Sequence, residues 1–188
     1  LQSHLHLLKR LPLQPRDAWS LRGMINDCPE GGSDMHDLAP FLKCRKDGRP
    51  RLMGIVNVTP DSFHANSRVA SIEEAVERAI SMWDAGADWV DIGGESTRPG
   101  ATPVNIEEEK ERVVPVIKAL REARPAGLIS IDTRRAEVAS AALNAGADMI
   151  NDVSGLRNQE MFDLVVGNGC AVCIMHMLGE PGNMQNNP

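Results

Sequence analysis

The texture of the chain changes at Arg51. Before it, residues 1–50 form an irregular extension with scattered charge, many of the prolines and the turn-rich DCPEGGSD stretch at 27–34, which predicts a short lead-in helix or hairpin around a flexible segment. After it, short apolar runs alternate with amphipathic stretches of roughly 12–20 residues, the pattern of βα units on a parallel sheet. LMGIVNV (52–58), WVDIGG (89–94), LISID (128–132), MINDVS (149–154) and AVCIMHM (171–177) predict strands. Helices are predicted over 71–85, 105–122, 134–145 and 158–168. Ser71 with Glu74 reads as a capping box for the first helix. Asn105 caps the second, and Glu107, Glu108 and Glu109 fill its first turn, where the dipole favours acids. The whole run Glu107–Glu111 reads as a solvated helix face.

An internal repeat supports this division. DAGADWVDIGGES (84–96) recurs as NAGADMINDVSG (144–155), sixty residues on. Each copy ends a helix at a glycine, Gly86 or Gly146, expected in the left-handed conformation. A buried strand with a polar end follows. Equivalent units around one sheet predict an α/β fold of the (β/α)8 TIM barrel class, with about five βα units in this chain. A doubly wound open sheet is the second choice, but the chain has no GxGxxG phosphate loop.

Composition narrows the core. Aromatic residues make up 3% of the chain, so the interior must be built from Val, Ile, Leu, Met and Ala, which suit parallel strands covered by helices. Trp83 and Trp89 flank the first AGAD turn and read as helix-to-sheet packing. The net charge of -6 argues against a nucleic-acid partner. Single arginines and backbone N–H groups can still hold a small anion. No apolar run approaches the roughly 20 residues of a membrane span, and Leu1–Leu13 lacks a signal-peptide cleavage pattern. The four cysteines, Cys28, Cys44, Cys170 and Cys173, are too few for a disulfide scaffold. A reducing, cytoplasmic setting is expected. Cys170 and Cys173 form a CxxC, but on a strand they point to opposite faces, so the pair reads as structural.

In either architecture, function collects at the C-terminal strand ends. The first strand ends in Asn57 and leads to Asp61. The second holds Asp91 and leads into Glu95, Thr97, Arg98 and Pro99. The third ends in Asp132, the fourth in Asn151 and Asp152, and the fifth in Met175 and His176. All deliver polar or ionisable groups to one rim. Asn and Asp side chains match the edge of a flat heterocycle with both donors and acceptors. Asn57 and Asp61 offer the oxygen ligands that Mg²⁺ prefers beside phosphate oxygens and waters. Arg98, in a Gly/Pro-rich loop, can reach an anion.

MGIVNVTPDSF (53–63), DIGGESTRPGA (91–101), ISIDT (129–133) and INDVSG (150–155), with MHM (175–177), resemble the successive signatures of the dihydropteroate synthases over residues 51–188. The resemblance implies a partial pterin-binding barrel that is usually a homodimer when full length. It implies condensation of 6-hydroxymethyl-7,8-dihydropterin diphosphate with 4-aminobenzoate, with Mg²⁺ assisting diphosphate departure, and sensitivity to sulfonamides. By motif position, Asn57 contacts Mg²⁺ and the diphosphate. Asp132, Asn151 and Met175 line the pterin pocket, Asp132 stabilising positive charge there, and Asp91 orients its neighbours or caps its strand; Asp152 carries the same two readings. Thr97 and Arg98 belong to the second mobile loop and Asp61 to the first. Phe63 and Pro99 wall the aminobenzoate slot, and His176 is either a base or a lining group.

The first loop departs from the family pattern. His64-Ala65-Asn66-Ser67-Arg68 replaces Ser-Asp-Gly-Gly, so Asn66 and Arg68 are the candidates to take over the loop's role. The later family motifs, an Asp, a Lys and an Arg-x-His on strands six to eight, are expected in roughly 80–120 further residues. The present stretch alone is expected to be inactive and poorly stable. Two other readings are a non-catalytic pterin-binding paralogue and a methyltetrahydrofolate:corrinoid methyltransferase, the latter opposed by NVTPDSF and GESTRPG.

Overall fold

The computed structural model describes residues 38–58, 68–95 and 104–175. They form strands β1 (Met53–Asn57), β2 (Trp89–Gly93), β3 (Leu128–Asp132), β4 (Met149–Asp152) and β5 (Ala171–Ile174). Between them run helices α1 (Arg68–Asp84), α2 (Ile106–Ala123), α3 (Ala136–Asn144) and α4 (Gln159–Asn168). The strands pair in parallel in the order β1-β2-β3-β4-β5. A doubly wound sheet reverses its strand order at a switch point, whereas this sheet winds one way, as successive barrel units do. Among the described residues the sheet is open, with β1 and β5 each paired on one side.

Side chains alternate between the two faces of each strand. One face lies under the helices. Val56, Val90, Ile92, Ile129, Ile131 and Ile150 are fully buried there against α1, α2 and α3 residues such as Ala79, Ile117 and Val138. The opposite, concave face has its own smaller cluster at the N-terminal strand ends. Trp89, Leu128, Met149 and Ala171 pack there with Leu38, Phe41 and Leu42 of a 3-10 turn over Ala39–Leu42. Trp83 packs between helix and sheet as expected, but Trp89 faces the other way, against this turn. Cys170 packs with the helix-side core and Cys173 with the concave cluster, so the CxxC does split across the sheet.

Asparagine caps start two of the four helices. Asn105 accepts from the Glu108 N–H, and Asn158 accepts from those of Glu160 and Met161. The first helix differs from expectation. It begins at Arg68, so Ser71 lies inside it and does not cap it. The apolar stripe of Ile72, Val76, Ala79, Ile80 and Trp83 extends back to Val69 in the sequence, and a capping-box spelling also occurs in helix interiors. Arg68, placed in the first loop from sequence, is therefore helical.

The repeat has a common physical job. Asp88 Oδ2 accepts from the Leu52 N–H at 2.8 Å, and Asp148 Oδ2 accepts from the Ile129 N–H at 2.8 Å. Each aspartate thus pins the preceding strand of its pair in register. Arginines complete both sites. Arg45 and Arg51 each approach Asp88 to 2.7 Å, and Arg121 approaches Asp148 to 2.8 Å. Burial opposes ionisation of Asp88, but its arginine and backbone donors outweigh it and hold the carboxyl at about 2. Gly86 and Gly146, at φ 100° and 110°, make the turn that brings each aspartate back to the sheet.

The two glycines should respond unequally to alanine. Gly86→Ala meets only backbone strain, since nothing lies within 4 Å of the new Cβ. Gly146→Ala also meets Arg121 Nε at 3.0 Å, displacing the arginine that holds Asp148. Urea unfolding should show a loss of roughly 1 kcal/mol for Gly86→Ala and a larger one for Gly146→Ala; equal losses would contradict the repeat's geometry.

Candidate active site

The parallel register sets Asn57, Gly93, Asp132, Asn151 and Cys173 in one row across the C-terminal ends of the five strands. Residues opposite one another in register share a face, here the concave one. Gly93 leaves a gap in the middle of the row. A Cβ there would stand 3.5 Å from both Asn57 Oδ1 and Asp132 Oδ2, so these two oxygens flank a slot floored by backbone. The next row down contains Ile55, Asp91, Ser130 and Met149. Asn151 Nδ2 donates to Asp91 Oδ2 at 2.9 Å, which fixes the amide and leaves its carbonyl oxygen for a ligand. Asp91 Oδ1 and Ser130 Oγ are buried without a hydrogen-bond partner.

Acids are crowded here. Burial pushes the Asp91 carboxyl above its usual range. Burial, then the negative charges of Asp91, Glu109, Asp152 and Glu95, push Asp132 up to about 8. At neutral pH Asp132 is therefore largely a neutral acid that can donate one hydrogen bond and accept others. A ligand bringing N–H donors or positive charge lowers that value again and receives a carboxylate. The floor thus suits a polar, nitrogen-rich ring.

The comparisons with known proteins agree with this geometry. The family described as "Pterin binding enzyme" matches residues 53–188. The chain belongs to the pterin-binding enzyme family. It is 47% identical over 139 residues to the dihydropteroate synthase of Synechocystis sp., covering 73% of this chain and 48% of that protein. It is 51% identical over 130 residues to a probable bifunctional folylpolyglutamate synthase/dihydropteroate synthase of Haloferax volcanii, covering 69% of this chain and 15% of the relative. Among solved structures, the Yersinia pestis dihydropteroate synthase with a sulfonamide drug complex superposes with TM-score 0.66 at 46% identity, covering 74% and 50% of the two chains. The Xanthomonas albilineans enzyme with 4-aminobenzoic acid gives 0.64 at 50% identity, covering 70% and 49%. The chain therefore spans about half the length of the single-function relatives it matches.

In this chain the described residues bring together Asn57, Asp91, Asp132 and Asn151, with Met175 following β5. The Met175 N–H donates to Asp152 O at 3.3 Å, holding the end of β5 beside the turn after β4. Asp61, Phe63, Thr97, Arg98, Pro99 and His176, and the departure at 64–67, lie outside the described residues. Asp152 is fully buried and capped by its own turn. Its oxygens accept from the N–H groups of Ser154 and Leu156 and from Ser154 Oγ, a structural role.

Glu109 corrects the reading of the acidic run as solvated. It is 1% exposed, accepts from Thr133 Oγ1 at 2.7 Å and pairs with Arg135. Its neighbours Glu107 and Glu111 are exposed, as expected. Position 109 falls on the sheet-facing stripe with Val113, Val116 and Leu120, a phase that was available in the sequence. Gly93, Ser130 and Cys173 join the site only through the strand register.

Asp132 makes stability depend on pH. Its value is raised on folding, so the folded protein binds more protons between about pH 4 and 8. The stabilisation is complete below about 4 and is lost as pH rises through about 8, with a slope of at most about 1.4 kcal/mol per pH unit. Asp132→Asn should flatten the fall in denaturation midpoint between pH 5 and 9; an unchanged slope would contradict the assignment.

Proposed function

We propose that the full-length protein is a dihydropteroate synthase, joining 6-hydroxymethyl-7,8-dihydropterin diphosphate to 4-aminobenzoate with release of diphosphate. The observation that carries this reading is the register row of Asn57, Gly93, Asp132 and Asn151, a backbone-floored slot edged by an amide oxygen, a neutral acid and an oriented second amide. The relatives named as synthases support it, including the solved complexes with 4-aminobenzoic acid and a sulfonamide.

In this reading Asp132 and Asn151 hold the polar edge of the pterin, Asp91 keeps the Asn151 amide turned, and Met175 packs beside the ring. The amine nitrogen forms a bond to the pterin methylene carbon while the bond from that carbon to the diphosphate oxygen breaks. Asp132 gives up its proton to solvent as the nitrogen-rich ring binds, and its carboxylate then meets the positive charge on the ring. Thr97 and Arg98 engage the anion, Phe63 and Pro99 hold the aminobenzoate ring, and Asp61 supports the diphosphate side. The amine's proton passes to water or the released diphosphate after attack, because the protonated adduct of a weakly basic aromatic amine is acidic.

Mg²⁺ belongs to the same proposal. Among the described residues no group of three His, Cys, Asp or Glu side chains can hold a metal. The donor set fits an ion that takes one protein oxygen, Asn57 Oδ1 at the exposed end of β1, and completes its shell with phosphate oxygens and water. When bound, Mg²⁺ neutralises charge growing on the departing diphosphate. Homodimerisation of the full-length chain is part of the same reading. No helix among the described residues is long and apolar enough to cross a membrane.

Full-length protein given both substrates and Mg²⁺ should release diphosphate and form dihydropteroate, with a sulfonamide competing against 4-aminobenzoate. Asp132→Asn should lower kcat by roughly 10²-fold, as loss of one preorganised charge-stabilising group does. Tight pterin binding without diphosphate release would replace the synthase with a binding protein.

A further inference from the structure

The two copies of the internal repeat touch at one matched position. Asp91 and Asn151 each follow the start of their copy, Asp84 or Asn144, by the same spacing, and their side chains meet: Asn151 Nδ2 donates to Asp91 Oδ2 at 2.9 Å. The bond passes over β3, since Asp91 lies on β2 and Asn151 on β4. Asp91 is 2% exposed, and its other oxygen, Oδ1, has no hydrogen-bond partner. Its register neighbours are Ile55, which has no polar side-chain atom, and Ser130, whose hydroxyl can donate or accept and so favours neither end of the amide. The Asn151 backbone is fixed separately, by the Thr133 N–H donating to Asn151 O at 3.1 Å. What Asp91 alone sets is which end of the Asn151 amide is turned to the slot.

The divergence of the two copies, acid in one and amide in the other, gives that contact its direction. Two buried carboxylates so close would repel. Two amides could pair in either of two ways, carbonyl to N–H or N–H to carbonyl. A carboxylate accepts at both oxygens, so it pairs with the amide in one way, and a flipped Asn151 would set oxygen against oxygen.

We propose that Asp91 is a specificity-setting positioning residue: by holding the Asn151 nitrogen toward the lower row it presents a carbonyl oxygen to the slot, and so selects a ring edge that carries an amino donor over one that carries a carbonyl. The inference rests on the synthase reading only in placing a pterin-type ring over Asn151. An acceptor brought against the fixed carbonyl leaves two oxygens desolvated and unpaired, which costs more than a hydrogen bond of ordinary quality gains. A site built to pair a polar group discriminates strongly for that reason. The selection works through Asn151, so Asp91 itself touches neither ring.

The test uses the full-length protein and two rings, 6-hydroxymethylpterin and its 2-oxo counterpart, which presents an acceptor where the amino group presents a donor. Calorimetry gives the affinity of each ring for the wild type, for Asp91→Asn and for Asp91→Ser, and unfolding midpoints are measured alongside. The wild type should prefer the amino ring by roughly thirtyfold or more, the scale of leaving buried polar groups unpaired. Asp91→Asn keeps the shape but lets the Asn151 amide turn, so the two rings should bind within about threefold of one another. Asp91→Ser, whose hydroxyl also donates or accepts, should narrow the gap in the same way and serves where Asp91→Asn lowers the midpoint. A residue with a structural role alone would weaken both rings together and leave their ratio unchanged. That unchanged ratio in a folded variant would overturn the inference, and so would a wild type that binds both rings equally. A wild type that binds neither ring would overturn the pterin reading of the site and this inference with it. Selective binding that Asp91→Asn abolishes, in a protein that turns nothing over, would overturn the synthase reading and uphold the role of Asp91.

Discussion

Residues that face one another in a parallel ladder point to the same side of the sheet, so a shift of one residue in any strand would send its site residue into the helix layer. The candidate site depends on this constraint. Asn57, Gly93, Asp132 and Asn151 meet on the concave face because four strands hold one register. Alternation of burial sets part of that register, with Val56, Ile92, Ile131 and Ile150 under the helices. The rest comes from Asp88 and Asp148, whose carboxylates bind the N–H groups of Leu52 and Ile129 on the preceding strand. The AGAD repeat is therefore a register device at the N-terminal end of the sheet that serves the chemistry at the other end.

The two ends handle charge differently. At the N-terminal end every buried aspartate has arginines and backbone donors, and Asp88 stays ionised to about pH 2. At the C-terminal end Asp91 accepts from the Asn151 amide, and Asp132, buried among other acids, holds its proton to about pH 8. An acid left short of partners is costly unless a ligand supplies them. Glu95 and Glu109, just outside the row, do have their arginines, so the deficit is confined to the concave face. This contrast between satisfied and unsatisfied acids separates scaffold from site within one small sheet.

Much of this was legible in the chain. The alternating runs gave the strand order, and the motif ends named Asn57, Asp91, Asp132 and Asn151, because strand ends in such folds are where function sits. The periodicity of the acidic run places Glu109 on the buried stripe, whereas its composition alone suggests a solvated face. Gly93 and Ser130 were hidden for a different reason, since a glycine or serine in a strand carries no chemical signal until a neighbouring strand shows what it faces. The role of Leu38, Phe41 and Leu42 in filling the lower concave face depends on contacts with strands far along the chain, which local patterns do not encode. Ser71 and Glu74 spell a cap that the earlier helical start at Arg68 makes redundant, so the local pattern places the first helix three residues late.

On the proposed reading the pterin diphosphate sits in the slot over Gly93, between Asn57 and Asp132. Gly93→Ala tests it cleanly. The added Cβ would meet its neighbours at 3.5 Å, ordinary contact distance, so the fold should survive, but the slot would be partly filled. Calorimetry on the full-length protein should show the unfolding midpoint nearly unchanged and pterin diphosphate affinity reduced by roughly 1–3 kcal/mol, the range for overfilling a packed site. Affinity equal to that of the unsubstituted protein, with the fold intact, would contradict the account.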